Sequence, residues 1–529
     1  MRIALFAPLL LLLSCASEPS PSRPYNIVWI TVEDMSPHLA AYGDSVAYTP
    51  HIDRLAREGV RYTNVFSVSG VCAPSRAALI TGMYPTTIGA QHMRTMRRTS
   101  ALADITDPEL LAIPTYEAVP PPEVKAFTEY LRANNYYTTN HAKEDYQFRR
   151  PITAWDASSN EAHWRNRPAG QPFFSVFNTA TTHESRVWRH ADHPWLIDTT
   201  RVTVPPYYPD TPIIRRDVAR HYNNIQEMDA QVGEVLAQLE EDGLMDRTII
   251  FFFSDHGDGL PRAKRWLYDS GLHVPLLIRW PDGRDAGTVD EELISFIDFA
   301  PTMLSLLDIP IPEHMQGQAF LGAQQGEPRT YIFAARDRMD PVQDNARAVR
   351  DKRFKYIRNY QPEKPFVQFL PYRDRMGLMQ ELLRLDAEGE LVGAPALWFR
   401  KTKPVEELYD TQNDPHEIVN LADDPAYRDK LEELRAAHLR WKAETHDWGL
   451  MPETELVKRL WPPDGIQPQT EPVTFTASRE GSRGATVHLT CATEGASIAY
   501  RLGEEGRWLL YTDPLPITAA TTLYAQAIR

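Results

Sequence analysis

The sequence predicts an α/β protein: a doubly wound sheet of buried strands between helices, then a smaller α+β subdomain, then a terminal small β-sandwich. Three observations predict it. The runs Asn26-Ile27-Val28-Trp29-Ile30-Thr31-Val32 and Ile249-Ile250-Phe251-Phe252-Phe253 are nearly continuous in apolar residues, as strands buried on both faces of a parallel sheet must be. Each run ends at once in acids, Glu33-Asp34 and Ser254-Asp255-His256-Gly257, and ligands of open α/β sheets sit off the carboxyl ends of the strands. Past residue 325 the texture changes to shorter, more alternating segments.

The elements follow in order. Helical patterns run from Pro122 to Asn134 and from Asp217 to Glu241, and Phe173 to Asn178 is a further strand ending near His183. Tyr331 to Ala335 and Arg347 to Tyr360 predict antiparallel strands, with an amphipathic helix from Pro425 to Glu444. Trp461-Pro462-Pro463-Asp464-Gly465 opens a linker. Residues 471–529 are short strands rich in Thr, Val, Ala and Tyr, as in a small β-sandwich. The expected division is 25–325 for the first domain, 326–460 for the subdomain and 471–529 for the sandwich.

The chain has 529 residues and a formal net charge of -15. That charge argues against a nucleic-acid partner, and a polyanionic ligand would need a local basic site. Met1-Arg2 followed by the apolar run Ala4–Leu13 is too short to span a bilayer. Leu12-Leu13-Ser14-Cys15 resembles a bacterial lipobox. Residues 1–15 read as a lipoprotein signal segment, and cleavage before Cys15 would leave that residue N-palmitoylated and S-diacylglycerylated. The Ser/Pro-rich stretch 16–24 would be a tether to a membrane, expected to be the bacterial outer membrane. Of the three cysteines, Cys15, Cys72 and Cys491, the last reads as a small buried hydrophobe, with a Cys72–Cys491 disulfide as the alternative.

The densest chemical signal is Cys72-Ala73-Pro74-Ser75-Arg76, running into Ala77-Ala78-Leu79-Ile80-Thr81-Gly82. Pro74 suits a first helical turn and Gly82 a helix end. Cys72 is therefore offered at a helix N-terminus, where orphan N–H groups favour an anion. Arg76, one turn on, can grip an oxyanion with two N–H groups.

This string resembles the modification signal of type I sulfatases, in which the cysteine is oxidised to formylglycine. The resemblance extends through Tyr268-Asp269-Ser270-Gly271-Leu272-His273-Val274-Pro275, Ile297-Asp298-Phe299-Ala300-Pro301-Thr302, Glu407-Leu408-Tyr409-Asp410 and Asn413-Asp414-Pro415-His416-Glu417. The stretches Tyr116–Pro121 and Thr182–Ser185 are similar to the heparan N-sulfatase-like branch. The family implies an alkaline-phosphatase-like sandwich with a large mixed sheet, and a sulfuric ester hydrolase acting on a sulfated polysaccharide or its oligosaccharides. It also implies one divalent metal, expected to be calcium with manganese or magnesium as alternatives, and a separate formylglycine-generating enzyme as partner.

By resemblance, Glu33, Asp34, Asp255, His256 and modified Cys72 hold the metal, Arg76, Lys143 and Lys264 bind sulfate, and His183 protonates the leaving alcohol. The hydrated aldehyde, polarised by the metal, attacks sulfur and is regenerated when sulfate leaves. The chain departs from the family's usual pattern twice. Glu33-Asp34 and His256 stand where Asp-Asp and Asn are usual, and histidine suits manganese, iron or zinc better than calcium. Asp145 stands where many members carry a histidine, so Asp145, His141 or His92 takes that part. His92, Arg94 and Asp145 are candidate substrate contacts, Arg94 opening a basic group with Arg97 and Arg98. Trp155, Trp164, Trp188 and Trp195 are candidates for stacking on sugar rings. The alternatives are a phosphate or phosphonate monoester hydrolase on the same scaffold and a non-catalytic glycan-binding lipoprotein.

Overall fold

A computed structural model of the chain describes residues 24–95, 107–462, 465–479 and 484–529. Its centre is an eight-stranded mixed sheet in the order β4-β3-β5-β1-β6-β7-β2-β8. These strands are β1 (Asn26–Val32), β2 (Val60–Phe66), β3 (Tyr137–His141), β4 (Ala157–Ser158), β5 (Phe173–Thr179), β6 (Thr248–Ser254), β7 (His273–Arg279) and β8 (Val289–Ser295). All seven residues of β1 and of β6 are buried, as the apolar runs predict. β1 pairs in parallel with β5 on one side and β6 on the other. β7 runs antiparallel to both its neighbours, β6 and β2. It follows β6 through residues 255–272, which carry the short helix Asp269–Leu272 in place of a full crossover helix.

Alternate residues of the central strands feed two cores. Val28, Ile30, Ile250 and Phe252 pack with Ile225, Met228 and Val232 of the long helix Pro212–Glu241. Trp29, Phe251 and Phe253 pack on the opposite face with Ala77, Ile80, Phe127, Phe299 and Met303. Trp29 stands edge-on to Phe174, Phe253 and Phe299, with centroids 5.0, 5.2 and 5.9 Å away. The two layers of helices on one sheet are the arrangement the strand periodicity demands.

A second, antiparallel sheet has the order β12-β11-β10-β9, from β9 (Ile332–Arg336), β10 (Ala346–Arg350), β11 (Phe354–Asn359) and β12 (Glu406–Asp410). The helix Arg428–Glu444 lays Leu431, Leu434 and Ala437 on Val349, Tyr356 and Leu408 of one face. Ala334, Ala348 and Ile357 of the sheet join the first core. Two three-stranded sheets between Thr474 and Ile528 enclose a small core of Leu489, Ile498 and Leu515. This unit rests on the first: Arg132 donates to Trp508 O at 2.7 Å, and Lys125 donates to Gly495 O and to Ser497 Oγ.

The helix expected from Pro122 begins only at Phe127. Residues 121–124 form a turn, with Val124 N on Pro121 O at 3.0 Å, and place Lys125 against the third unit. The long helix starts earlier than expected, at Pro212. Thr211 Oγ1 accepts from Ile214 N, and Pro212 sits where a missing N–H costs nothing. Two of the four tryptophans suggested for sugar stacking are core residues. Trp155 lies parallel to Phe174, and Trp164 is wholly buried with its Nε1 donating to Asp242 at 2.7 Å. Cys491 is half-buried rather than buried, and Cys72 and Cys491 are both free. Cys15, Arg97 and Arg98 lie outside the described residues.

Candidate active site

The parallel register of β1 and β6 sets Val32 opposite Ser254. The residues that follow, Glu33-Asp34 and Asp255-His256, therefore emerge side by side at one edge of the sheet. Asp34 takes a left-handed φ of 57°, a conformation aspartate tolerates. The turn is held by Asp34 N on Asp255 Oδ1 at 3.1 Å and Met35 N on Ser254 Oγ at 2.9 Å. All four side chains are buried.

Cys72 reaches this edge from the start of the helix Cys72–Thr81, after an extended Val71. Ser67 ties the preceding loop to the helix, donating to Ser69 O at 2.7 Å and meeting Ser75 Oγ at 3.0 Å. Gly70 passes so close to Trp266 that a Cβ would lie 2.5 Å from its carbonyl oxygen. Gly82 ends the helix in the left-handed conformation, φ 69°, its N–H on Ala78 O at 2.8 Å. The Cys72 Sγ stands 3.4 Å from His256 Nε2 and 3.9 Å from Asp34 Oδ1.

Three cations close the ring. Arg76 donates from Nε to Asp255 Oδ2 at 3.0 Å and from NH1 to Asn178 Oδ1 at 2.8 Å. Lys143, from the loop after β3, reaches Glu33 Oε2 at 2.9 Å. Lys264 reaches Asp34 Oδ2 at 2.5 Å and Glu184 Oε1 at 3.2 Å. Burial works to raise the Asp34 carboxyl, but Lys264, His183 and His256 hold it well below the usual range. Burial likewise opposes the charge on His256, yet Asp255 and Asp34 push its pKa up to about 10. His183 Nε2 lies 3.9 Å from Glu33 Oε2, and its Nδ1 meets Ser185 Oγ at 2.9 Å. Burial pushes this imidazole below its ordinary value.

The donors have the chemistry of a divalent cation site. Asp34, Cys72, Asp255 and His256 offer ligand atoms within 4.8 Å of one another, and so do Glu33, Asp34, Cys72 and His183. Asp34 and Asp255 each give one oxygen to a cationic side chain. The other oxygen of each lies beside His256 Nε2, at 3.0 and 3.7 Å. Three carboxylates in one buried cluster require such positive charge.

Of the substrate-side candidates, Asp145 lies 3.9 Å from Lys143 and 3.6 Å from Arg94. A cavity of about 560 Å³ opens there, lined by Arg94, Lys143, Asp145, Arg149 and Arg150. The structure does not bring His92 to this cavity. It is buried, its Nδ1 accepts from Arg338 N at 3.2 Å, and burial pushes its pKa down to about 4. His141 stacks on Phe177 with centroids 5.7 Å apart.

Three further residues serve the site. Glu184 receives both Arg265 nitrogens, at 2.9 and 2.7 Å, and its own N–H donates to Asp34 Oδ2 at 2.7 Å. Asn178 orients Arg76 while donating to His141 O and Asn140 Oδ1, both at 2.9 Å. Glu184 sits in the Thr182–Ser185 segment and Asn178 ends a recognised strand, so both were within reach of the sequence; Arg265 carried no signal beyond following Lys264.

Residues 25–309 match the family model described as Sulfatase, and residues 261–374 the model described as N-sulphoglucosamine sulphohydrolase, C-terminal. The chain is 46% identical over 543 residues to an "Ulvan-active sulfatase" of Formosa agariphila, covering 95% of this chain and 89% of the relative. It is 28% identical over 488 residues to the N-sulphoglucosamine sulphohydrolase of Homo sapiens, covering 83% and 94%. A solved complex of a protein with its substrate D-glucosamine-2-N,6-O-disulfate shares the fold at a TM-score of 0.57 and 17% identity, covering 81% of this chain and 99% of the other. A phosphonate monoester hydrolase from Silicibacter pomeroyi shares it at 0.57 and 18%, covering 81% and 97%. The chain belongs to the sulfatase family. It is a sulfuric ester hydrolase on an alkaline-phosphatase-like fold.

Proposed function

We propose that this protein removes sulfate from a sulfated polysaccharide or its oligosaccharides, using formylglycine made from Cys72. The observation that carries the reading is the position of the Cys72 sulfur, buried at a helix start, 3.4 Å from His256 and 3.9 Å from Asp34. Relatives named for activity on ulvan and on N-sulphoglucosamine support a sulfated saccharide as the substrate class, and ulvan is the first to test. The sequence Leu12–Cys15 supports an exported, lipid-anchored protein.

In this reading the hydrated aldehyde at position 72 presents a hydroxyl whose oxygen attacks sulfur as the ester S–O bond breaks. Arg76, Lys143 and Lys264 stand where the sulfuryl oxygens gain negative charge, and fixed cations in a dry site stabilise it strongly. His183, held by Ser185, delivers a proton to the departing alkoxide oxygen. Transfer of the second hydroxyl's proton to a base then re-forms the aldehyde and expels sulfate; Asp145, 3.9 Å from Lys143, is the carboxylate we assign as that base. Glu33, Asp34, Asp255 and His256 would hold a divalent cation, which supplies a Lewis acid that makes a bound hydroxyl acidic at neutral pH. Calcium is the ion we assign, from three oxygen donors against one nitrogen.

Sulfate released from ulvan, heparan sulfate and an aryl sulfate, and phosphate released from the matching aryl phosphate, both read by ion chromatography, test this. Release from a sulfated glycan that is absent in Cys72→Ala is expected. Turnover of the phosphate ester alone would overturn it.

A further inference from the structure

A second cavity, of about 530 Å³, lies between the first unit and the terminal β-sandwich. Its size falls within the roughly 300–1,000 Å³ of small-ligand clefts. Phe148 and Arg149 line both this cavity and the one that opens at Lys143. The two spaces thus share a wall, and a chain leaving the active site past Arg149 enters the second.

The cavity contains polar groups left over from folding. Glu117 and Glu129 line it, at 6% and 5% exposure. In each, one carboxylate oxygen is used by the protein: Glu117 Oε1 by Gln467 and by Arg149 at 3.5 Å, Glu129 Oε1 by Thr153. The other oxygen, Oε2, is buried and has no hydrogen-bond partner among the described residues. A buried acceptor without a partner is costly, so each of these oxygens gains from a donor that enters the cavity. Burial holds the Glu117 carboxyl above its ordinary pKa.

The cavity is also lined by Gln469 and Gln526, both exposed, and by the apolar side chains of Pro120 and Phe148. Carboxylate acceptors, amides that donate and accept, and apolar side chains are the groups that read a sugar ring's hydroxyls and its C–H face. The Arg149 side chain is two-thirds exposed and lies 3.5 Å from Glu117. Its guanidinium has nitrogens left to pair with a sulfate or carboxylate on that ring.

We propose that this cavity is a distal subsite for an anionic saccharide unit several rings from the one being desulfated, with the β-sandwich as its outer wall. The proposal rests on the polysaccharide reading above and deepens it. Lys125 and Arg132, which fasten the sandwich to the first unit, are then what keep the subsite assembled. The sandwich thereby becomes part of the substrate groove.

The test is affinity against length. The Cys72→Ala chain, full length, is titrated calorimetrically with ulvan di-, tetra- and hexasaccharides. Affinity is expected to rise about tenfold or more from the shortest to the longest, the effect of one added charge-assisted contact. Arg149→Ala, and separately Gln469→Ala with Gln526→Ala, should remove most of that rise. Arg149→Lys should restore part of it. A flat length dependence, or losses equal for disaccharide and hexasaccharide, would overturn the subsite, as would failure to bind any of the three. Sulfate release by the unmutated protein is measured alongside. Release with flat length dependence retains the sulfatase reading and removes the subsite. Length-dependent, Arg149-sensitive binding without release retains the subsite and removes the catalytic reading.

Discussion

Gly259 has no room for a side chain: a Cβ there would stand 2.9 Å from Asp34 Oδ2 and 3.0 Å from the Glu184 Cα. Gly259→Ala must therefore push Asp34 off Lys264 or move the Glu184 backbone. Overpacking of this kind costs about 1–3 kcal/mol, and sulfate release should fall about tenfold or more because the displaced group is central; melting and turnover read the two effects. His183→Ala should lower kcat by about 10²–10⁴ on a sugar sulfate, where the alkoxide needs a proton. On an aryl sulfate with an acidic leaving group the loss should be far smaller, and equal losses on both would remove the acid role. Much of this chemistry was legible from single residues. Cys72, Arg76 and the four strand-end groups are each announced by a local string. The pairings that hold them were not: Glu184 with Arg265 spans 81 residues and Arg76 with Asn178 spans 102, and nothing in a local pattern couples them. His92 shows the opposite failure, since a polar residue beside Arg94 in sequence turns inward to Arg338.

At the scale of elements, the β6–β7 connection carries Asp255, His256 and Lys264, so its anchoring decides the site's shape. Asp258 fastens it, accepting from Ser36 N at 2.9 Å and His38 Nε2 at 2.8 Å. Burial opposes a charge on His38, but Asp258 and Asp44 push its pKa up to about 10. A folded pKa above the unfolded value of 6.5 means the stabilisation is complete below pH 6.5 and is lost as pH rises through 10. The destabilisation caused by His38→Gln should thus be greatest near pH 6 and shrink toward pH 10, as read by chemical denaturation. The central strands followed from strand-length apolar runs, whereas the start of the long helix at Pro212 lies five residues before the expected Asp217. The reversal of β7 did not follow from such runs, because a buried run of residues reads the same in either direction. Nor did the late start at Phe127, which is set by contacts to the third unit.

For the whole molecule, net charge and metal are coupled. A chain of net charge -15 that buries Glu33, Asp34 and Asp255 together should be stabilised by any dication that binds the folded form. Ligand at about 100 times Kd adds about 2.7 kcal/mol. Chelation is expected to lower Tm and abolish sulfate release, and calcium should restore both; an unchanged Tm after verified metal removal would contradict the assigned site. The change of texture past residue 325 precedes the β9–β12 sheet, and the Thr-, Val-, Ala- and Tyr-rich stretch carries the two small sheets. The cavity between the first and third units was not visible in the sequence, since it is built from residues near 117–149 and 467–529 that only docking brings together.

The central claim is that Cys72 is the precursor of the nucleophile. Its most direct measurement is the mass of the peptide Tyr62–Arg76 from protein made in its own host and shown to release sulfate. A mass matching formylglycine at position 72 is predicted. An unmodified cysteine in the active protein would contradict the account.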